Sequence, residues 1–447
     1  MTSRDALKEL RRESLDIYNR LHSIEQVSSF VNAVHDAYPG LPILPNLRCG
    51  AWYTEPSIID DEAKGAYFKS TDGHYNAWKF SLRRPNLHLL PIAVRDGGRG
   101  LILVDSTRAG KRFPDALSKT VPIWCAVVNR AVLLRRQSDR PWDVALHTPP
   151  VIPAQEASQI SSLLDAWANG LATSSYTLPD LPYPLRPIWI TPASSTLPRP
   201  PPDCIPVICV SASAVEGEAT VGRRMHGFAY VQGAGDDHEL WGMGLTPELF
   251  WAHRNALLSA ERASLPQLVT QLVGSVSQST PQADLKPTPI SRIDSRISIC
   301  AAADLGAYAD GVAYIIATTT SMPAPNPEPL PFILNLPLSP HKKAQSNSPL
   351  PALLPRSTAF ATAHLRLGRP VCFVCDDGRD VSVGLALAVL GAAFDDDGRF
   401  VFERQAVDKQ RLRTRLEWII ASRPEANPSR ATLKRVNEFL MSAGYRR

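Results

Sequence analysis

The chain has 447 residues, 44% hydrophobic and 20% charged, with a net charge of +5 and a pI near 8.8. That length exceeds one ordinary core and the composition excludes a disordered chain. No apolar run reaches the roughly 18–20 residues that cross a bilayer, and the charged N-terminus lacks a signal-peptide core. Seven cysteines set out no disulfide framework at this size, so a reducing, cytoplasmic setting is expected. Cys372 and Cys375 form a CxxC with no second pair at zinc-ligand spacing. The mild basicity permits a nucleic-acid partner without requiring one.

Helical spacing of Leu7, Leu10, Leu15, Tyr18, Leu21, Ile24, Val27 and Phe30 predicts a helix or helix pair from Asp5 to Tyr38. Leu87–Val94 and Gly100–Val104 are expected as two strands about an Arg-Asp-Gly-Gly-Arg turn. Helices are expected at Ile123–Leu134 and Ala154–Leu171. Prolines crowd 179–206, leaving short extended runs at Ile188–Thr191 and Ile205–Val210. Further expectations are a strand at Phe228–Gln232, helices at Pro247–Ala260 and Leu265–Val276, and strands at Ile297–Cys300 and Val312–Thr318.

Met322–Pro349 is rich in proline, serine and asparagine and buries little apolar surface. It reads as a linker or surface loop, spanning 321–349, between an N-terminal α/β region (1–320, of one or two subdomains) and a C-terminal unit (350–447). That unit reads as helix Leu350–Leu367, strand Val371–Val374, and helices Val381–Phe394, Asp408–Ser422 and Ser429–Ala443.

Between that strand and the helix after it lies Cys375-Asp376-Asp377-Gly378-Arg379-Asp380-Val381-Ser382. A strand–loop–helix turn presents unpaired amides and the positive end of the helix dipole, which makes it an anion site. Gly378 allows the turn and Arg379 offers a bidentate phosphate contact. The loop resembles that of cysteine-dependent, dual-specificity phosphatases, where an arginine stands six residues after the cysteine. Here that residue is Val381, so hydrolysis through Cys375 loses its phosphoryl-holding group. A plain turn with Asp380 as N-cap is the other reading.

Three more clusters carry chemistry. Lys69-Ser70-Thr71-Asp72-Gly73-His74 precedes Trp78-Lys79-Phe80 and the pair Arg83-Arg84; cations for phosphates beside aromatics for bases suit RNA, and Asp72 or His74 could act as base. Asp105-Ser106-Thr107-Arg108-Ala109-Gly110-Lys111-Arg112 leaves a strand, and the carboxyl ends of parallel strands gather ligands. Gly233-Ala234-Gly235-Asp236-Asp237 could hold Mg²⁺, which takes one or two carboxylates plus substrate phosphates. Glycine and aspartate are equally what an exposed turn prefers.

These clusters recur in one order: Phe68–His74, Asn86–Leu90, Asp105–Arg108 with Gly110–Ala116, Ile123-Trp124, Gly233–Asp237, Trp241, Gly244–Pro247, Cys375 with Gly378 and Asp380, and Asn427–Leu433. From about Leu15 to Met441 the chain resembles the initiator tRNA 2′-O-ribosyl phosphate transferase family. The resemblance implies transfer of 5-phosphoribosyl from phosphoribosyl pyrophosphate, with Mg²⁺, to the 2′-hydroxyl of a T-stem adenosine of initiator tRNA, excluding it from elongation. The implied fold is α/β, an N-terminal catalytic and RNA-binding region followed by a dual-specificity-phosphatase-like α/β domain. Neither a membrane nor a stable protein partner is implied.

Residues and resemblance together set out the candidates. Catalysis is assigned to Asp72, His74, Asp105, Cys375 and Asp380. Substrate phosphates go to Asp377, Gly378, Arg379, Ser382, Ser106, Thr107, Arg108 and Lys111. RNA is assigned to Lys69, Arg83, Arg84 and Arg112, and metal to Asp236 and Asp237. A catalytically altered phosphatase-like protein and a non-catalytic initiator-tRNA-binding protein are the alternatives.

Overall fold

The computed structural model describes residues 8, 11–46, 49–59, 65–108, 110–136, 142–214, 227–276, 287–319, 332–338, 350–402 and 407–442. Much of the expected 321–349 linker, with Ala109 and Ala443, lies outside the described residues. Two compact units divide the chain, Met1–Thr173 with Thr177–Ser279, and Ser174–Tyr176 with Thr280–Arg447.

In the first unit helix α1 (Ile17–Ala37) starts at Asp16, whose carboxylate accepts from Asn19 N at 3.0 Å. Its Leu21, Ile24, Val31 and Val34 are buried, the spacing that one helical face requires. Strands β1 (Ile43–Pro45), β2 (Leu101–Asp105), β3 (Leu185–Ile190) and β4 (Ile205–Ser211) form a parallel sheet in the order β1-β2-β4-β3. A parallel sheet needs cover on its faces, and β2 and β4 are buried along their whole length. Register sets Asp105 beside Ser211, so both strands end on a polar residue at the same edge.

Two expected strands are absent. Leu87–Val94 instead enters helix α2 (Leu89–Gly98), which leaves helical geometry at Arg95, Asp96 and Gly97, where the turn was expected. Leu89, Leu90, Ile92 and Ala93 are buried, a helical rather than alternating pattern, and Pro91 stands in the first turn where no amide bond is lost. Phe228–Gln232 pairs with no strand among the described residues, because side chains of α1 take its amides: Ala229 N donates to Asn19 Oδ1 at 3.0 Å and Val231 N to Ser23 Oγ at 2.8 Å.

After a π turn at Ala116–Thr120 comes α3 (Val121–Arg136). Together Ala116–Arg136 is long and apolar enough to cross a membrane, which the sequence reading missed, but it is mostly buried, as the core helix of a unit is. The expected 154–171 helix is two, α4 (Ala154–Ser161) and α5 (Leu164–Ala172). The expected 247–260 helix is also two, α6 (Pro247–Ala252) and α7 (Arg254–Ser259), ahead of α8 (Leu265–Val276).

The second unit holds β5 (Thr288–Pro289), β6 (Ile297–Ala301), β7 (Ala313–Ala317), β8 (Ile333–Asn335) and β9 (Val371–Cys375), in the order β5-β6-β9-β7-β8. Only β5 runs antiparallel among these pairings. The boundary expected at 320 therefore moves to about 280. Val371 pairs with Ile297 on one side and Ala313 on the other, and composition cannot reveal pairing across a proline-rich insertion. Helices α9 (Leu350–Arg366), α10 (Val381–Ala393), α11 (Lys409–Ser422) and α12 (Arg430–Met441) complete the unit. Helix α10 is buried nearly all round; a Cβ on Gly384 would meet Thr432 Cγ2 at 2.4 Å, so only glycine admits α12 there.

Candidate active site

At the carboxyl edge of the first unit's sheet, Asp105 is 2% exposed. Its Oδ2 accepts from Asn46 Nδ2 at 2.8 Å, and its Oδ1 from the Cys49 thiol at 3.0 Å and Ser106 N at 2.8 Å. Asn46, just past β1, is itself fixed by exchanging hydrogen bonds with the Phe68 backbone at 2.8 and 3.0 Å. Burial pushes the Asp105 carboxyl up to about 6, outweighing those donors, and the nearby Asp236 charge adds to the rise. Burial and Asp105 likewise hold the Cys49 thiol well above its ordinary range.

The next residues reach across to the Gly233–Asp237 loop. Ser106 Oγ and Ser213 Oγ share a short hydrogen bond, and Ser213 Oγ accepts from Gly233 N at 3.0 Å. Tyr53 OH accepts from Gly235 N at 2.8 Å. Arg20 donates to the carbonyls of Ala234 at 2.8 Å and Asp236 at 3.0 Å, its guanidinium lying 5.2 Å from the Trp241 ring centroid. Gly233, at φ 69°, leaves room for Thr107, whose carbonyl would stand 2.7 Å from an added Cβ. Gln232 Nε2 donates to Lys111 O at 2.7 Å, and Ser211 Oγ to Arg112 O at 2.8 Å. The loops at 105–112 and 232–237 are thus one structure. Asp236 is half-buried toward it, and Asp237 is exposed.

The 69–84 segment joins the same edge. Gly73 lies so close to Asp115 that an added Cβ would meet its carbonyl at 2.7 Å, and Thr120 Oγ1 donates to Lys69 O at 3.0 Å. Asp72 is buried and paired with Lys79 and Arg84, each at 3.2 Å. His74 is exposed, 3.8 Å from an Asp115 carboxylate that Lys111 (2.7 Å) and Lys119 (3.1 Å) also hold. Partial burial first, then Arg84, Arg83 and Lys79, press the Lys69 ammonium below its usual range. Arg108 and Arg112 are exposed beside this group.

In the second unit the Cys375 loop is closed on itself. Asp377 Oδ1 accepts from Arg379 N at 2.9 Å, Asp380 N at 3.3 Å and the Cys375 thiol at 3.2 Å. Cys375 also lies 3.0 Å from Ser382 Oγ, and burial raises its pKa. Gly378, at φ 61°, turns against Ala301 N, and its carbonyl accepts from Arg423 Nε at 2.9 Å. Asp380 is an anchor: Oδ1 accepts from Ser429 N at 2.8 Å and Thr432 Oγ1 at 2.6 Å, fixing the start of α12. The exposed Arg379 side chain stands beside these groups.

The structure therefore brings together Lys69, Asp72, His74, Arg83, Arg84, Asp105, Ser106, Thr107, Arg108, Lys111, Arg112, Asp236 and Asp237 in one unit, and Cys375, Asp377, Gly378, Arg379, Asp380 and Ser382 in the other. Sequence reasoning missed Arg20, Asn46, Cys49, Tyr53 and Ser213. The signal for Asn46 and Ser213 was their place just past parallel strands. Among the described residues no three His, Cys, Asp or Glu side chains form a metal cage. Asp236 and Asp237 still fit an ion held mainly by substrate phosphates and water.

Residues 10–274 match the Rit1 N-terminal domain family, and residues 332–440 the Rit1 DUSP-like domain family. The chain is 34% identical to an uncharacterized protein of Schizosaccharomyces pombe, covering 98% of this chain and 97% of that one. It is 33% identical to the tRNA A64-2′-O-ribosylphosphate transferase of Saccharomyces cerevisiae, covering 97% and 94%. Among solved structures, a point variant of human DUSP28 matches 34% of this chain and 92% of its own at 17% identity, with a TM-score of 0.25.

Proposed function

Since the chain belongs to the Rit1 family, which includes the tRNA A64-2′-O-ribosylphosphate transferase of yeast, we propose that it transfers 5-phosphoribosyl from phosphoribosyl pyrophosphate to the 2′-hydroxyl of one T-stem adenosine of initiator tRNA. The observation that carries this reading is the joined edge of the first unit. There a cation-rich segment, a buried strand-end carboxylate and a clamped loop bearing Asp236 and Asp237 are tied together.

In the reaction the anomeric carbon–oxygen bond to pyrophosphate breaks and a bond to the ribose 2′-oxygen forms. The hydroxyl proton passes to a base and pyrophosphate leaves with the bonding pair. Asp72 is neutralised by Lys79 and Arg84, so His74, exposed and near Asp115, is the better base. Asp105, buried near the positive charge that develops at the anomeric centre, stabilises the oxocarbenium-like state. Lys69, Arg83, Arg84 and Arg112 hold RNA phosphates, and Ser106, Thr107, Arg108 and Lys111 hold phosphates of the donor. A Mg²⁺ at Asp236 and Asp237 would neutralise charge on the departing pyrophosphate. In the second unit the Gly378–Ser382 turn, with Arg379, is by itself an anion site once Asp377 releases the turn's amides.

The test mixes the protein, Mg²⁺, phosphoribosyl pyrophosphate and unmodified initiator tRNA, with an elongator tRNA as control. Nucleosides are weighed after digestion. A ribosyl-phosphate adduct on one adenosine of the initiator alone is expected. Tight, salt-sensitive binding without an adduct would replace the reading by that of a tRNA-binding protein.

A further inference from the structure

Tyr75 sits in a turn built to display it. The turn is closed by Ala77 N donating to His74 O at 2.9 Å and Lys79 N to Asp72 O at 3.0 Å, with Asn76 at φ 57°. Tyr75 is 62% exposed, although a large ring gains by burial. It is nonetheless held: its ring meets that of Trp78 at a centroid distance of 5.4 Å and an interplanar angle of 80°. Trp78 in turn donates through Nε1 to Glu156 at 3.1 Å, and Glu156 is braced by Lys119 at 3.1 Å. An edge contact of this kind fixes a ring while leaving a face open.

Its segment is rich in cations. Lys69, Lys79, Arg83 and Arg84 share this segment with one buried carboxylate, Asp72. A pre-oriented aromatic face amid an excess of cations is the combination that single-stranded or splayed nucleotides recognise, the ring taking a base and the cations its phosphates.

We propose that Tyr75 is a stacking platform for one unstacked base of the tRNA substrate, with Lys69 and Lys79 on the flanking phosphates. This rests on the tRNA reading above and adds how the RNA is engaged. Tyr75 takes no part in bond making; it positions the strand that carries the acceptor hydroxyl.

The experiment compares the full chain with Tyr75→Phe, Tyr75→Leu and Tyr75→Ala. Binding to unmodified initiator tRNA is read by equilibrium titration across a salt series, and transfer by steady-state kinetics. The alanine and leucine variants are expected to raise the Kd and KM for tRNA about tenfold. The phenylalanine variant should match wild type, and KM for phosphoribosyl pyrophosphate should not move. The slope of log affinity against log salt should be unchanged in all three and shallower in Lys79→Met, which removes a phosphate contact. Wild-type behaviour of Tyr75→Ala or Tyr75→Leu would overturn the platform, as would a loss in Tyr75→Phe equal to that in Tyr75→Ala. Wild-type protein that binds the tRNA but transfers nothing defeats the transfer reading alone, because the variants are still ranked by binding. Wild-type protein that does not bind the tRNA overturns both.

Discussion

Asp377 accepts from the backbone amide of Arg379 at 2.9 Å, so the turn after β9 already carries an anion supplied by its own chain. Any incoming phosphate competes with that carboxylate. Replacing Asp377 with alanine removes an exposed like charge. Binding of inorganic phosphate, followed by calorimetry, should tighten by up to about fivefold, the range of an exposed charge pair. Unchanged or weaker binding would mean that phosphate does not use this turn.

Cys375 sits in the same turn as a protonated thiol. Burial raises its pKa, and the nearby carboxylate of Asp377 raises it further. The thiolate, which is the nucleophile, is therefore scarce at neutral pH. Iodoacetamide should label Cys375 far more slowly in the folded protein than in urea. Cys375→Ser should keep tRNA transfer, and neither form should hydrolyse an aryl phosphate. Rapid labelling, or loss of an aryl phosphatase activity in the serine variant, would restore the hydrolase reading.

Arg20 clamps the carbonyls of Ala234 and Asp236 from α1. Arg20→Met keeps much of the bulk over Trp241 but takes the Arg20 donor from the Ala234 carbonyl, at about 1–3 kcal/mol if it stays buried, while the Asp236 carbonyl keeps Trp241 Nε1 at 3.0 Å. Transfer should fall through a raised KM for phosphoribosyl pyrophosphate, while tRNA affinity holds. A tRNA-side defect with an unchanged donor KM would place the loop elsewhere in the reaction.

Asp105 gives a pH dependence whose sign is fixed. Its folded pKa, about 6, lies above the ordinary 3.8 because burial disfavours the charge. The folded state holds the proton more tightly than the unfolded chain. The stabilisation is therefore full below about pH 4 and lost as pH rises through about 6. In metal-free buffer, raising pH from 4 to 7 should lower wild-type stability relative to Asp105→Asn by on the order of 3 kcal/mol. Parallel denaturation profiles for the two proteins across that window would show that Asp105 is not perturbed.

Local signals read well where one residue decides an element. Asp16, Asp408 and Ser429 cap helices that the periodicity had located, and the runs expected at Ile188–Thr191, Ile205–Val210 and Val371–Val374 fall on the strands Leu185–Ile190, Ile205–Ser211 and Val371–Cys375. Reading failed where distant parts share a hydrogen bond. Phe228–Gln232 has the composition of a strand, but Asn19 and Ser23 take its amides. The motifs at Asp72, Asp105 and Asp236 were visible as separate clusters. Their union was not, because it depends on Arg20, Asn46, Tyr53 and Ser213, each unremarkable in its own stretch of sequence.

Asp380 and Thr432 are 52 positions apart and share a hydrogen bond of 2.6 Å, while Gly384 one turn later leaves the space that Thr432 fills. Three residues in two distant motifs are therefore a single lock and should be inherited together. A larger residue at 384 demands a smaller one at 432, and loss of the carboxylate at 380 removes the reason for a hydroxyl there. Exchanging the last helix between relatives should succeed only when the turn at 380–384 travels with it.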